Sequence, residues 1–197
     1  WRTDPKRTGI SNCGGDIGTH AFVAATWVSG LSVQRVSARL NSFVPGRKLD
    51  DDFNVIAVMN NGATALITAT QIAIGHKNDC GFRIYGAKGS LEWRQERAEA
   101  LVVRKGVSDE TYWIGVGFDG FPKIVGSYLR APAGHHEDFF EALANLHCTL
   151  ERKIRRSRGE KVADPYDHPG VAEGLAGMKF VRAAVNSSKA NGAWTKL

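Results

Sequence analysis

Asp16 and His20 lie four residues apart where a run of helical period begins, directly behind Cys13-Gly14-Gly15. Residues i and i+4 share a helix face, so both side chains are predicted to project together from the first turn. Asp16 reads as the N-cap, its carboxylate accepting an orphan amide, and the paired glycines as a sharp turn into the helix. The positive end of the helix dipole favours an ionised carboxylate there. A neutral imidazole beside it can take a proton from a hydroxyl, so the pair has the makings of an acid–base site. The competing reading is structural: Asp16 only caps, and His20 is a satisfied interior histidine.

The elements that must position this pair follow from periodicity. A first helix is predicted over 17–29, with Ile17, Ala21, Ala24, Ala25 and Val28 as its apolar stripe and Gly30 as its stop. His20 falls at the edge of that stripe, facing a cleft or the core. Alternation then predicts a strand over 33–44, with Val36, Ala38, Leu40 and Val44 on one face. The run 53–59 is apolar on both faces, as a covered central strand would be. Asn60-Asn61-Gly62 reads as a hairpin turn into a strand over 63–74. A polar loop follows, containing Lys77 and Asn78, and then strands over 82–85, 90–95 and 100–104.

Residues 105–134 are rich in glycine and proline, the composition of a lining or lid segment. Helices are predicted over 136–156, with a Phe139, Phe140, Leu143, Leu146, Leu150 and Ile154 stripe, and from Pro169 onward. The stripe of that last helix is Val171, Leu175, Met178, Val181 and Val185, and the tail 193–197 is expected to dock as a final strand. The sum is an α+β domain spanning 1–197: an open, mostly antiparallel sheet with helices packed on one face. Little charge marks either face of the strands, so a second copy is expected to cover the open face, making a homo-oligomer.

Composition narrows the function classes. The chain has 197 residues, 43% hydrophobic and 23% charged, ordinary for a soluble globular protein. Its longest uncharged apolar run, 21–28, is far too short to span a bilayer, and no targeting segment follows the N-terminus. A start on Trp1 rather than Met points to a fragment or a processed chain. Cys13, Cys80 and Cys148 are odd in number and form no CxxC pair, which argues against a disulfide framework or structural zinc and suits a reducing cytoplasm. Of the net charge of +6, the segment 151–161 supplies +4. It lacks the interleaved aromatics of a nucleic-acid platform and reads as a solvated helix end. His135-His136-Glu137-Asp138 invites a metal, but adjacent helical side chains diverge, so no metal site is expected.

Beyond spacing, Gly14-Gly15-Asp16-Ile17-Gly18-Thr19-His20 resembles the GG-D-x-G-x-H motif of the glucose–fructose oxidoreductase / inositol dehydrogenase (Gfo/Idh/MocA) family. Further landmarks recur in the family's order: Trp1-Arg2-x-Asp4-Pro5, Asn61-Gly62, Ile84-Tyr85-Gly86-x-Lys88-Gly89-Ser90-Leu91 and Pro132-x-Gly134-His135. Glu141-Ala142-x-Ala144-Asn145, Gly174-x-x-Gly177-Met178 and Gly192-Ala193-Trp194 continue the series. The resemblance implies a C-terminal substrate and oligomerisation domain from an NAD- or NADP-dependent dehydrogenase of sugars, cyclitols or related polyols. An N-terminal Rossmann domain, supplying the dinucleotide loop and a lysine in Glu-Lys-Pro, normally precedes it and is absent from this sequence. The fragment alone is therefore expected to be inactive, and a non-catalytic sugar-binding or dimerisation module is the alternative. By the same resemblance His20 corresponds to the acid–base histidine and Asp16 to the carboxylate beside it. Arg2, His135, Lys77 and Asn78 are candidates for holding substrate. Ser11-Asn12-Cys13 departs from the motif's usual glycine-rich lead-in.

Overall fold

The computed structural model describes residues 1–115, 123–164 and 166–197. It opens with helix α1 (Pro5–Thr8), a π-helical turn (Gly14–Gly18) and helix α2 (Thr19–Ser29). Strands β1 (Val33–Asn41), β2 (Asp52–Met59), β3 (Thr64–Thr70), β4 (Gly81–Gly86), β5 (Gly89–Arg94), β6 (Ala100–Lys105) and β7 (Ser108–Trp113) follow. Helices α3 (Lys123–Gly126), α4 (Phe139–Ser157) and α5 (Val171–Lys189) lead to strand β8 (Thr195–Lys196). These elements form two compact units, Trp1–His76 with Pro169–Leu197, and Lys77–His168. The α+β class holds, and every strand pairing among the described residues is antiparallel. The strands are divided between two four-stranded sheets, β3-β2-β1-β8 and β4-β5-β6-β7. The division falls after Thr70, where β3 stops short of the expected Ile74. Gln71 N–H bonds Asp51 O, and tight turns through Ile74 and His76 then lead the chain away.

In the first unit the inner sheet face presents Val36, Ala38, Phe53, Val55, Ala57, Met59, Ile67 and Ala69 to α2 and α5. Phe180 of α5 stacks on Phe22 of α2 at 4.6 Å between ring centroids and meets Phe53 edge-on at 5.8 Å. Strand β2 is central, but only one of its faces is covered: Phe53, Val55, Ala57 and Met59 are buried whereas Ile56 is 44% exposed. On α2 the fully packed residue is Phe22, outside the expected stripe. That helix is apolar nearly all round, so periodicity does not choose its inward face. On α5 the buried side is Gly177, Phe180, Val181, Ala183, Ala184, Val185 and Ser187, while Val171, Leu175 and Met178 are exposed.

The C-terminal tail docks as a strand, but β8 pairs with only Arg35 and Val36 of β1. Farther along that edge the Ala38 and Leu40 amides donate to Ser187 Oγ (2.9 Å) and Ser188 Oγ (3.0 Å) of α5. Side-chain hydroxyls thus satisfy amides that a longer strand would have taken. Strand β1 ends at Asn41, three residues before the expected Val44. The reason is Asp51, whose two carboxylate oxygens each accept a backbone amide, from Phe43 and Val44, at 2.9 Å. Burial of Asp51 acts to raise its pKa, but these amides and Arg47 at 3.7 Å prevail and hold it below the ordinary carboxylate range.

In the second unit Phe82 and Trp93 face each other across β4 and β5 with centroids 5.9 Å apart, and Trp93 Nε1 donates to Ala98 O. Helix α4 begins at Phe139, later than expected, because Glu141 reaches back to accept the Asp138 amide at 3.0 Å. Two of the bases in the segment at its end are ion-paired: Arg155 with Glu151 and Glu160, and Arg156 with Asp164. Arg152 lies over the Tyr166 ring. Of the expected lining or lid segment, β7 and α3 are described, and residues 116–122 lie outside the described residues. Among the described residues, no helix is long and apolar enough to cross a membrane.

Candidate active site

The Asp16–His20 segment is held from below. Asp50, 7% exposed, accepts Ser11 Oγ–H and the Gly14 amide at Oδ2 and the Asn12 amide at Oδ1, each at 2.9 Å, while its carbonyl accepts the Cys13 amide at 3.1 Å. The residues that depart from the motif's lead-in, Ser11-Asn12-Cys13, are therefore the ones that lock it to the turn before β2. Cys13 is fully buried there. Burial, then the carboxylates of Asp50, Asp52, Asp51 and Asp16, push its thiol up to about 12.

The segment itself is a π-turn, closed by the Thr19 amide on Gly14 O. Asp16 sits inside this turn, its own amide donating to Asn12 O at 2.9 Å, so it does not cap α2; Gly18 occupies the N-cap position. Nor do Gly14 and Gly15 supply a turn with positive φ. Gly14 is required by proximity: a Cβ on it would lie 2.6 Å from Phe53 Cδ2 and 2.5 Å from Ser11 Oγ. At Gly18 a Cβ would come within 3.1 Å of the same ring. The glycines let the helix start lie directly on Phe53. A π-turn widens the backbone ring by one residue, and such turns are frequent at functional sites.

Arg2 is the one expected substrate residue that the structure brings to Asp16. Its Nη2 lies 3.7 Å from Asp16 Oδ1, and its backbone is held where Thr8 Oγ1 donates to Trp1 O and Arg2 O. On the other side of the carboxylate, Gln71 Nε2 approaches Asp16 Oδ2 at 3.4 Å. His20 is exposed in the first turn of α2, not buried as a core histidine would be. Asp16 is thus half-buried between a guanidinium and an amide, and His20 presents an accessible imidazole four residues on.

The remaining candidates belong to the second unit. Lys77 and Asn78 are exposed ahead of β4. His135 is exposed in a turn closed by its own amide on Pro132 O, with the capping role at α4 taken by Glu141. His136 Nδ1 pairs with Glu99 at 3.3 Å, while Glu137 accepts the Arg130 and Ala131 amides, so these neighbours serve separate contacts. Among the described residues no three His, Cys, Asp or Glu side chains converge as metal ligands would. Asp50, Gln71, Asn12 and Phe53 carry no motif signal and emerge only from the fold.

Residues 1–92 match the family model described as GFO/IDH/MocA C-terminal domain. An oxidoreductase from Sinorhizobium meliloti is 35% identical, with a TM-score of 0.85 over 93% of this chain and 52% of its own. An inositol dehydrogenase homolog complexed with NAD+, from Azotobacter vinelandii, is 27% identical, with a TM-score of 0.87 over 100% of this chain and 51% of its own. The levoglucosan dehydrogenase of Pseudarthrobacter phenanthrenivorans is 26% identical over 179 residues, covering 73% of this chain and 45% of that protein. The chain spans about half the length of the curated relatives it matches. Over residues 1–92 the chain is thus similar in sequence, and to its end similar in fold, to the C-terminal domains of the Gfo/Idh/MocA family.

Proposed function

We propose that this chain is the substrate side of an NAD- or NADP-dependent dehydrogenase of sugars, cyclitols or related polyols, with His20 as acid–base and Asp16 and Arg2 as polar contacts for substrate. The observation that carries the reading is the Asp50-locked π-turn, which holds Asp16 between Arg2 and Gln71 while leaving His20 accessible. Dinucleotides commonly sit in the crevice of parallel strand–helix–strand units, and the described sheets are antiparallel, which favours a cofactor held mainly by other residues of the parent protein. A nicotinamide bound by the rest of the parent protein would supply the hydride acceptor. This chain's residues handle the proton. Asp16 orients the hydroxyl, His20 takes its proton as the carbinol is oxidised, and Asp16 stabilises the resulting imidazolium. Without the cofactor half, the chain by itself should be inactive.

In the complete protein, His20→Ala should lower turnover of myo-inositol or levoglucosan by about 10²–10⁴-fold, with NAD(H) affinity by fluorescence titration unchanged. Turnover equal to wild type would overturn the assignment. The outer face of the first sheet favours self-association as well. There Ile56 and Leu66 are 44% and 75% exposed beside Ser37, Arg39, Asn54 and Thr68 around a shallow depression of about 400 Å³. We assign that face to a second copy in a homo-oligomer and place the protein in the cytoplasm, where its cysteines stay reduced.

A further inference from the structure

Gln71 follows the last residue of β3, and its amide donates to Asp51 O at 2.9 Å, so its backbone is fixed by the same acidic turn that ends β1. Its side chain bridges two residues of the motif region. Nε2 faces Asp16 Oδ2 at 3.4 Å, and Oε1 accepts from Asn12 Nδ2 at 2.8 Å. An ionised carboxylate only accepts hydrogen bonds, so Gln71 must turn its nitrogen to Asp16 and its oxygen to Asn12. Asn12 must in turn present Nδ2. Its amide is held by Asp50 Oδ1 at 2.9 Å, and its own Oδ1 is buried without a hydrogen-bond partner among the described residues. A buried oxygen left unsatisfied is unfavourable, so some other requirement holds the side chain in this sense.

We propose that Gln71 is a positioning residue for Asp16. The relay Asn12→Gln71→Asp16 holds the carboxylate in one orientation, with Oδ2 occupied and Oδ1 left to Arg2 and a substrate hydroxyl. This rests on the reading of Asp16 as a substrate contact. Because the relay starts at the Asp50 lock, the lead-in that departs from the family pattern is part of the site's geometry.

The test uses the complete protein with NAD+ and, as probes, myo-inositol and levoglucosan. Gln71→Met keeps the length of the side chain but neither donates to Asp16 nor accepts from Asn12 as an amide does. It should lower kcat/KM about tenfold at every pH with NAD+ affinity unchanged, and lower the unfolding midpoint modestly because buried Asn12 Nδ2 loses its acceptor. Gln71→Glu repels Asp16 when ionised but donates to it when protonated, so its kcat/KM relative to wild type should climb as pH falls. A merely structural glutamine would not produce that pH-dependent ratio. Wild-type kcat/KM in Gln71→Met, or a flat ratio in Gln71→Glu, overturns the proposal.

Asp16→Asn separates the two levels. If it keeps wild-type activity, the functional reading of Asp16 fails; if it is inactive while Gln71→Met is not, only the relay fails. Exchange of the Gln71 side-chain amide protons, followed by NMR, needs no turnover of either probe. It should be slow in wild type and accelerated in Asp16→Ala, and equal rates in the two refute the relay.

Discussion

Two adjacent glycines should respond to the same substitution with opposite sign. A methyl on Gly14 would lie 2.6 Å from Phe53 Cδ2 and 2.5 Å from Ser11 Oγ. Phe53 has no room to retreat, being fully buried with its ring edge-on to Phe180 at 5.8 Å. Overpacking of a closed core of this kind costs about 1–3 kcal/mol. With a urea slope of roughly 2 kcal/mol/M, the Gly14→Ala midpoint should fall by about 0.5–1.5 M. At Gly15, within the same π-turn and without positive φ, a methyl meets nothing within 4 Å. Gly15→Ala should therefore gain about 0.5–1 kcal/mol from reduced chain entropy.

Helix propensity alone would have both variants stabilised, and a turn requiring positive φ would have both destabilised, so the split sign is diagnostic of contact with Phe53. Urea unfolding followed by circular dichroism measures it, and Phe53→Leu supplies the double-mutant cycle. In that background the Gly14→Ala penalty should shrink by at least half. A neutral Gly14→Ala, or a penalty untouched by Phe53→Leu, refutes the reasoning.

Asp51 sets an acid limb of stability. Its pKa is lowered in the folded state from 3.8, so its contribution is complete above that value and is lost as pH falls through the folded-state value. Asp51→Asn offers one acceptor oxygen to the two amides that Asp51 serves, so it should cost about 1–3 kcal/mol near pH 7 and flatten the loss of stability below pH 4. Unfolding free energies that stay parallel between wild type and variant across that range would count against it. Cys13, fully buried with its thiol pushed up to about 12, should resist iodoacetamide in the native protein, while exposed Cys80 is labelled; both should react in urea. Mass spectrometry distinguishes the sites, and native labelling of Cys13 at the Cys80 rate would show the lead-in to be open.

Element types were largely legible because they depend on local pattern. Alternation located β1 and the β2–β3 hairpin, and the 3.6-residue period located α4 and α5. Errors arose where a distant side chain set the outcome. Strand β1 ends early because Asp51, ten residues after Asn41, captures the amides of Phe43 and Val44. The buried face of α5 is decided by Phe180 meeting Phe22 and Phe53, rings contributed by other elements. The short β8 leaves β1 amides free, and two serines on α5 take them, a use of Ser187 and Ser188 that helical periodicity does not mark. The two-sheet division follows from hydrogen bonds around Gln71 and the turns beyond Ile72, which a strand pattern continuing to Ile74 conceals.

At the site, legibility separates the groups proposed for chemistry from the groups that hold them. Asp16 and His20 stand out because helical spacing and residue type coincide within one turn, and Arg2 because it opens a neighbouring landmark. Their supports lie far away in sequence: Asp50 reaches Gly14 across 36 residues, and Gln71 reaches Asp16 across 55. In isolation Asp50-Asp51-Asp52 has the composition of a solvated loop, because three adjacent carboxylates repel one another and ionised groups resist burial. The fold gives each acid a different environment. Asp50 takes amides from the motif's lead-in, Asp51 takes the amides past β1, and Asp52 accepts from Asn41 and Asn54. Backbone donors make those burials tolerable, and those donors exist only once the lead-in and the end of β1 have been brought against the turn before β2. The rigidity of the Asp16–His20 segment is thus a property of tertiary structure, and for that reason its anchors leave no motif.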